Sequence, residues 1–129
     1  MSQLRILDVG NCVPDHSTLT RYLTKHFICV VDEAPDGPRA MEQLKARPYD
    51  LVLVNRKLDI DYSDGLDVIK TIKADPETKD IPVMMITNYS DHQDAAVAAG
   101  ALRGFGKLEY DDPQTLDRLK QALGHATVR

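Results

Sequence analysis

The sequence predicts an α/β fold, a five-stranded parallel sheet covered by helices on both faces. Three observations predict it. Short apolar runs alternate with stretches whose apolar residues recur at helical spacing. The third run, Leu51-Val52-Leu53-Val54, is apolar without a break, as a central strand buried on both sides requires. The segments between runs are long enough for the helical crossovers that parallel neighbours need.

The elements follow in order. Leu4 to Val9 reads as the first strand, and Pro14-Asp15 opens a helix with Leu19, Tyr22, Leu23 and Phe27 on its inner side. Ile28-Cys29-Val30-Val31 is too short and too β-branched for a helix, so it reads as the second strand. Asp36-Gly37-Pro38 predicts a turn with proline at the start of a helix carrying Ala40, Met41 and Leu44. After the third strand, a polar stretch from Asn55 to Asp64 leads into Leu66, Val68, Ile69 and Ile72 on one helical face.

Ile81 to Ile86 is the fourth strand, with Pro82 near its start, where a missing donor is tolerated. Ser90 is expected to cap an alanine-rich helix that stops at Gly100, with Ala95 to Ala99 as a close-packed face. A weaker fifth strand spans Leu102 to Gly106. The last helix takes Asp112 as cap and Pro113 at its first position, points Leu116, Leu119 and Leu123 inward, and ends at Gly124. Five β–α units of this size favour the three-layer, doubly wound flavodoxin-like arrangement with strand order 2-1-3-4-5. In such sheets the site lies beyond the carboxyl ends of the strands. The residues expected there are Gly10, Asn11, Asn55, Thr87 and Lys107.

A length of 129 residues fits one domain, expected to span 1–129. Apolar residues make up 43% and charged residues 28%, the balance of a globular protein, and the net charge of -4 argues against a nucleic-acid surface built on excess positive charge. No apolar run approaches the roughly 18 residues of a membrane span. The start Met1-Ser2-Gln3-Leu4-Arg5 has no signal-peptide pattern, so a cytoplasmic location is expected. Cys12 and Cys29 lack metal-ligand spacing; buried thiols are expected, with a disulfide left open. His16, His26, His92 and His125 are scattered and suggest no shared site.

Several stretches, in order and at nearly the family's spacing, resemble the receiver domain of bacterial response regulators. They are Glu33-Ala34-Pro35-Asp36-Gly37, Tyr49-Asp50 before the third strand, Asp64-Gly65-Leu66, Asp75-Pro76-Glu77-Thr78-Lys79-Asp80-Ile81-Pro82-Val83, Gly100-Ala101 and Lys107. The resemblance implies a phosphorelay signalling module rather than an enzyme. Receivers hold Mg²⁺ with an acidic pair after strand one and an aspartate after strand three, and that aspartate takes the phosphoryl group. A hydroxyl residue and a lysine then contact its oxygens. Thr87 and Lys107 match those last two positions. The acidic-pair positions hold Gly10 and Asn11, the acceptor position holds Asn55, and the aromatic that rotates on activation is replaced by Gly104, with Phe105 adjacent. Leu108 stands where a proline usually follows the lysine, and the loop from Asn55 to Gly65 is about two residues longer than usual.

These departures predict a pseudo-receiver without Mg²⁺ or another cofactor. An acyl phosphate forms by attack of an anionic oxygen, and the carboxamide of Asn55 is neutral. Mg²⁺ is held by carboxylates, waters and phosphate oxygens, and the three carboxylate positions carry none. Lys107 is expected to donate to the Asn55 carbonyl oxygen; the sharper alternative is a small anion site with Thr87 and backbone donors. Asp8 falls inside strand one, either reaching solvent or a basic group, or serving as a relocated acid. Asp59 and Asp61 read as loop-solvating charges or, alternatively, as displaced phospho-acceptors, and Asp64 as a helix cap. A nucleotide- or flavin-binding protein is less favoured, since Gly10-Asn11-Cys12-Val13-Pro14 has no glycine-rich phosphate fingerprint. In similar domains the fourth helix, fifth strand and fifth helix bind a protein partner or a second copy. Here that face offers Asp91, His92, Arg103, Glu109, Asp117 and Arg118, with no nucleic-acid or membrane partner expected.

Overall fold

A computed structural model describes residues 3–124; the opening Met1-Ser2 and His125 lie outside the described residues. Ten elements alternate: β1 Leu4–Val9, α1 Val13–His26, β2 Cys29–Ala34, α2 Gly37–Ala46, β3 Leu51–Asn55, α3 Gly65–Ala74, β4 Val83–Ile86, α4 Ser90–Ala98, β5 Leu102–Phe105 and α5 Pro113–Leu123. The strands form one sheet in the order β2-β1-β3-β4-β5, and the pairings are parallel. The expected doubly wound flavodoxin-like architecture is therefore present. β2 runs later than expected, to Ala34, and β4 begins only at Val83.

Alternation along the strands divides the core in two. Leu7, Val9, Val52, Val54, Val83 and Met85 face α2, α3 and α4, which contribute Leu44, Ile69, Ile72 and Ala96. Leu4, Ile6, Leu51, Leu53, Met84 and Ile86 face α1 and α5, which contribute Leu19, Leu23 and Leu119. Asp8 has the parity of Leu4 and Ile6, so its side chain enters the layer under α1 and α5. A central strand with both faces packed is why β3 shows no polar alternation.

Most helix starts follow local chemistry. Asp36, Asp64 and Asp112 each accept a hydrogen bond from a backbone N–H of the turn they precede. Ser90 does not cap α4: the cap residue is Tyr89, whose own N–H is held by the Thr87 hydroxyl at 3.3 Å. The alanine run is also less packed than expected, since Ala96 is buried whereas Ala95 and Ala98 are exposed. Cys29 is buried and Cys12 half-buried, and no disulfide joins them. No helix among the described residues is long and apolar enough to cross a membrane.

β5 pairs irregularly with β4. Met84 aligns with Leu102 and Ile86 with Phe105, so β5 carries an extra residue. The gap is closed by a side chain. Gln93 of α4, buried, donates to Met85 O at 2.9 Å and accepts from Gly104 N–H at 2.8 Å. A Cβ on residue 104 would lie 2.3 Å from Met85 O, so only glycine permits this approach.

Candidate functional site

The loops after β1, β3, β4 and β5 converge beyond the carboxyl ends of the strands, bringing Gly10, Asn11, Asn55, Thr87 and Lys107 to one edge of the sheet. Asn55 ends β3. Its carboxamide nitrogen donates to Lys57 O at 2.7 Å and to Gly10 O at 3.4 Å, tying the loops after β1 and β3 together. The neighbouring chain reinforces the tie, because Asp59 N–H also donates to Gly10 O.

The long loop after β3 folds into a small hairpin. The backbones of Lys57 and Asp64 pair as a single antiparallel β-bridge, and Leu58 exchanges backbone bonds with Tyr62 and Ser63. Leu58 is thereby turned inward and fully buried beside Gly10. Gly10 has φ +82°, and a Cβ there would stand 2.5 Å from Leu58 Cγ. Backbone conformation and packing both require glycine at this position.

Lys107 departs from expectation. Its ammonium does not meet the Asn55 carbonyl; it pairs with Asp15 of α1 at 2.7 Å. The bond from Lys107 holds the Asp15 carboxyl below its ordinary value. Position two residues into α1 was the available signal, since a first-turn carboxylate is favoured by the helix dipole and points back toward the strand tips. Thr87 keeps a hydroxyl at the site, but His92 Nδ1 lies 3.1 Å from it.

Asp8 reaches no solvent: it is 1% exposed. His16 Nδ1 lies 2.7 Å from one carboxylate oxygen, and Asn11 Nδ2 donates to the other at 2.6 Å. Burial pushes the Asp8 carboxyl up, and the bonds from His16 and Asn11 oppose it. Glu33 of β2 adds a second carboxylate 3.8 Å from the same imidazole nitrogen. His16 thus belongs to an acid–imidazole cluster that its scattered place in the sequence hid. Burial, then the charges of Asp8 and Asp15, push the nearby Tyr110 hydroxyl up to about 12.

A cavity of about 180 Å³ opens between the loops after β3 and β4, with Asn55, Arg56, Lys57, Thr87, Asn88 and Lys107 in its lining. Among the described residues, no three His, Cys, Asp or Glu side chains converge as a metal-binding group.

The response regulator receiver domain family model matches residues 13–108. The chain belongs to this receiver family. It is 36% identical over 94 residues to chemotaxis protein CheY-3 of Vibrio cholerae, covering 69% of this chain and 70% of that protein. It is 34% identical over 117 residues to transcriptional regulatory protein ZraR of Escherichia coli O157:H7, covering 88% of this chain. The receiver spans only 25% of that relative. In structure it resembles chemotaxis response regulator CheY4 of Vibrio cholerae, with TM-score 0.74, 18% identity and coverage of 95% and 100% of the two chains. It also resembles a CheY-like receiver domain from Methylobacillus flagellatus, with TM-score 0.72, 20% identity and coverage of 95% and 99%. At those identities the likeness concerns the fold.

On the α4, β5 and α5 side of the receiver, the side chains expected to be exposed divide. Asp91, Arg103 and Asp117 are exposed. His92, Glu109 and Arg118 are half-buried and bonded inward, to Thr87, Gly106 N–H and Gly104 O respectively. Arg103 pairs with Asp94 at 2.8 Å.

Proposed function

We propose that this receiver works in two-component signalling without a phosphoryl group at the tip of β3, by binding a protein partner or a second copy through the face of α4, β5 and α5. One observation carries the reading: the side chain ending β3 is the carboxamide of Asn55, turned so that its nitrogen donates to two backbone carbonyls. Its nitrogen lone pair is delocalised into the carbonyl, and no anionic oxygen is available to attack phosphorus.

The donor set does not suit Mg²⁺. The carbonyl oxygens of Gly10 and Lys57 already accept from Asn55, Leu58 fills the space beside Gly10, and Asp8 is committed to His16 and Asn11 in the layer below. A hard cation there would find carbonyl dipoles in place of carboxylates. Lys107, engaged by Asp15, is drawn off the Asn55 side chain. Control of the partner face also takes another form, because the Gln93 amide fastens α4 to β4 and β5 where the family has a mobile ring. A module of this kind signals by contact and is not an enzyme.

The displaced-acid alternative would use Asp59 or Asp61. Both are exposed on the hairpin, and Asp61 accepts from Ser63 N–H, on the side of the loop that faces α2 and α3. Incubation with acetyl phosphate and Mg²⁺, followed by intact-mass measurement, tests both readings. The unmodified mass is expected for the folded protein. A phosphoryl adduct overturns the proposal, and its loss in Asp59→Ala or Asp61→Ala would locate a displaced acceptor.

A further inference from the structure

We infer that the strand-tip edge is a docking socket for an acidic segment of a partner protein, one whose carboxylate is flanked by apolar side chains. The inference deepens the previous reading and rests on it, since it requires that Asn55 carry no phosphoryl group.

Two independent features meet at this edge. The first is charge. The cavity beside Asn55 is lined by Arg56, Lys57 and Lys107, and no carboxylate lines it among the described residues. The chain as a whole carries -4, so this concentration of cations runs against the average. Lys107 is shared with Asp15, but neither Arg56 nor Lys57 has an ion pair among the described residues. Thr87, Asn55 and Asn88 add neutral polar groups to the same cavity.

The second feature is the rim. Leu108 is 85% exposed, Val13 74% and Tyr89 65%. With Ile60 and Tyr62 they are the five most exposed large apolar side chains among the described residues, and all lie at or just after the loops leaving the strand tips. Single exposed hydrophobes are ordinary, but their concentration on one edge marks an interaction surface. Asn88 Oδ1 accepts from Leu108 N–H at 3.0 Å, so the rim residues Tyr89 and Leu108 sit on loops tied together beside the cavity.

Together these features select the ligand chemistry. An inorganic anion would satisfy the cations and leave Val13, Tyr89 and Leu108 in water. A membrane surface or a nucleic acid presents phosphates but not the short apolar flanks. An acidic side chain between apolar neighbours covers both, with the Arg56 guanidinium suited to a carboxylate's two oxygens. Such an interface forms by electrostatic attraction, weakens with salt, and is finished by apolar contact.

The test uses the full chain labelled with ¹⁵N. It is titrated separately with acetyl-Leu-Asp-Glu-Leu-amide, with the Asn-Gln counterpart of that peptide, and with inorganic phosphate. The acidic peptide is expected to shift the amide signals of Asn88, Lys107 and Leu108 saturably, with the neutral peptide at least about tenfold weaker. Lys57→Glu and Leu108→Ser should each weaken the acidic peptide by about fivefold or more with the thermal midpoint unchanged, and Val13→Ser replaces Leu108→Ser if that variant is unstable. Phosphate binding as tightly as the peptide, with Leu108→Ser indifferent, would reduce the site to an ion site and overturn the inference. Absence of saturation, or shifts centred on α4, β5 and α5, overturns it as well. Intact mass is read on the same samples: an adduct defeats the phosphorylation-independent reading, whereas unmodified protein that ignores the peptide defeats only the socket.

Discussion

The carboxylate of Asp8, buried in β1, lies 2.7 Å from Nδ1 of His16 on α1. The pair joins the central sheet to its first helix through a polar contact in a layer that also holds Leu19, Leu23 and Phe105. Removing one partner strands the other. His16→Leu is expected to destabilise the fold by about 3 kcal/mol in urea denaturation at neutral pH, because the buried carboxylate keeps only its bond from Asn11. Asp8→Val combined with His16→Leu should recover most of that loss, since no buried charge remains.

Asp8 also sets a pH dependence. Burial raises its folded-state pKa above the unfolded value, so between those values the folded chain binds more protons. Its contribution to stability therefore falls as pH rises through that window and is most favourable below it. His16→Leu should widen the window upward, and its destabilisation should shrink on acidification. A pH-independent loss would contradict the assignment.

Gly10 and Leu58 form a second coupled pair. Gly10→Ala combines a left-handed backbone with a Cβ pressed on Leu58 Cγ, and should cost about 1–3 kcal/mol in thermal or urea unfolding. Gly10→Asp, which adds a carboxylate as well as the Cβ, should cost at least as much. Leu58→Ala in the same chain should relieve the contact but not the backbone, so the double variant should be less damaged than the sum of the singles. Strict additivity would mean that Leu58 is not what excludes a side chain there.

The fold was legible because it depends on long periodic signals. The uninterrupted Leu51 to Val54 run and the helical spacing of Leu19, Leu23 and Leu119 survive any local irregularity. The gathering of Gly10, Asn11, Asn55, Thr87 and Lys107 at one sheet edge follows from topology alone, and the cap at Asp64 from residue type just before a helical pattern. What they touch does not. Lys107 meets Asp15 across 92 residues of sequence, and no local pattern encodes that pair. Asp8 looked anomalous in a strand, yet its partner His16 is eight residues on, across a turn and into the next helix. The inward turn of Leu58 was hidden because a long polar loop reads as solvated, whereas its hairpin bonds make one leucine part of the core.

Gln93 provides a local test of the partner face. Its amide fills the place of missing ladder bonds between β4 and β5, accepting from Gly104 N–H and donating to Met85 O. Gln93→Leu should leave both backbone groups without partners and cost about 1–3 kcal/mol for each. Gln93→Glu keeps the acceptor and loses the donor, so it should fall between. Amide hydrogen exchange at Gly104 checks this directly: much faster exchange in the leucine variant is expected, and unchanged protection would show that the bulge is held by something else.

Asn55→Asp tests the chemistry proposed for the tip of β3. The substitution keeps shape but replaces a donor by an acceptor facing the carbonyl oxygens of Lys57 and Gly10. Two hydrogen bonds become repulsive contacts, and a loss of about 1–3 kcal/mol is expected at neutral pH. A protonated carboxyl can still donate one bond, so the new acid should have a raised pKa in the folded state. Its penalty should therefore grow as pH rises through the carboxylate range and be smallest at the acid end, which urea titrations at successive pH values would read. The same carbonyls decide the metal question. If Mg²⁺ restores the stability of Asn55→Asp, then Lys57 O and Gly10 O are latent cation ligands, and the amide of Asn55 has been standing in for the ion. If Mg²⁺ has no effect, as Leu58 beside Gly10 and the absence of acids at residues 10 and 11 lead us to expect, one added carboxylate does not make a metal site there.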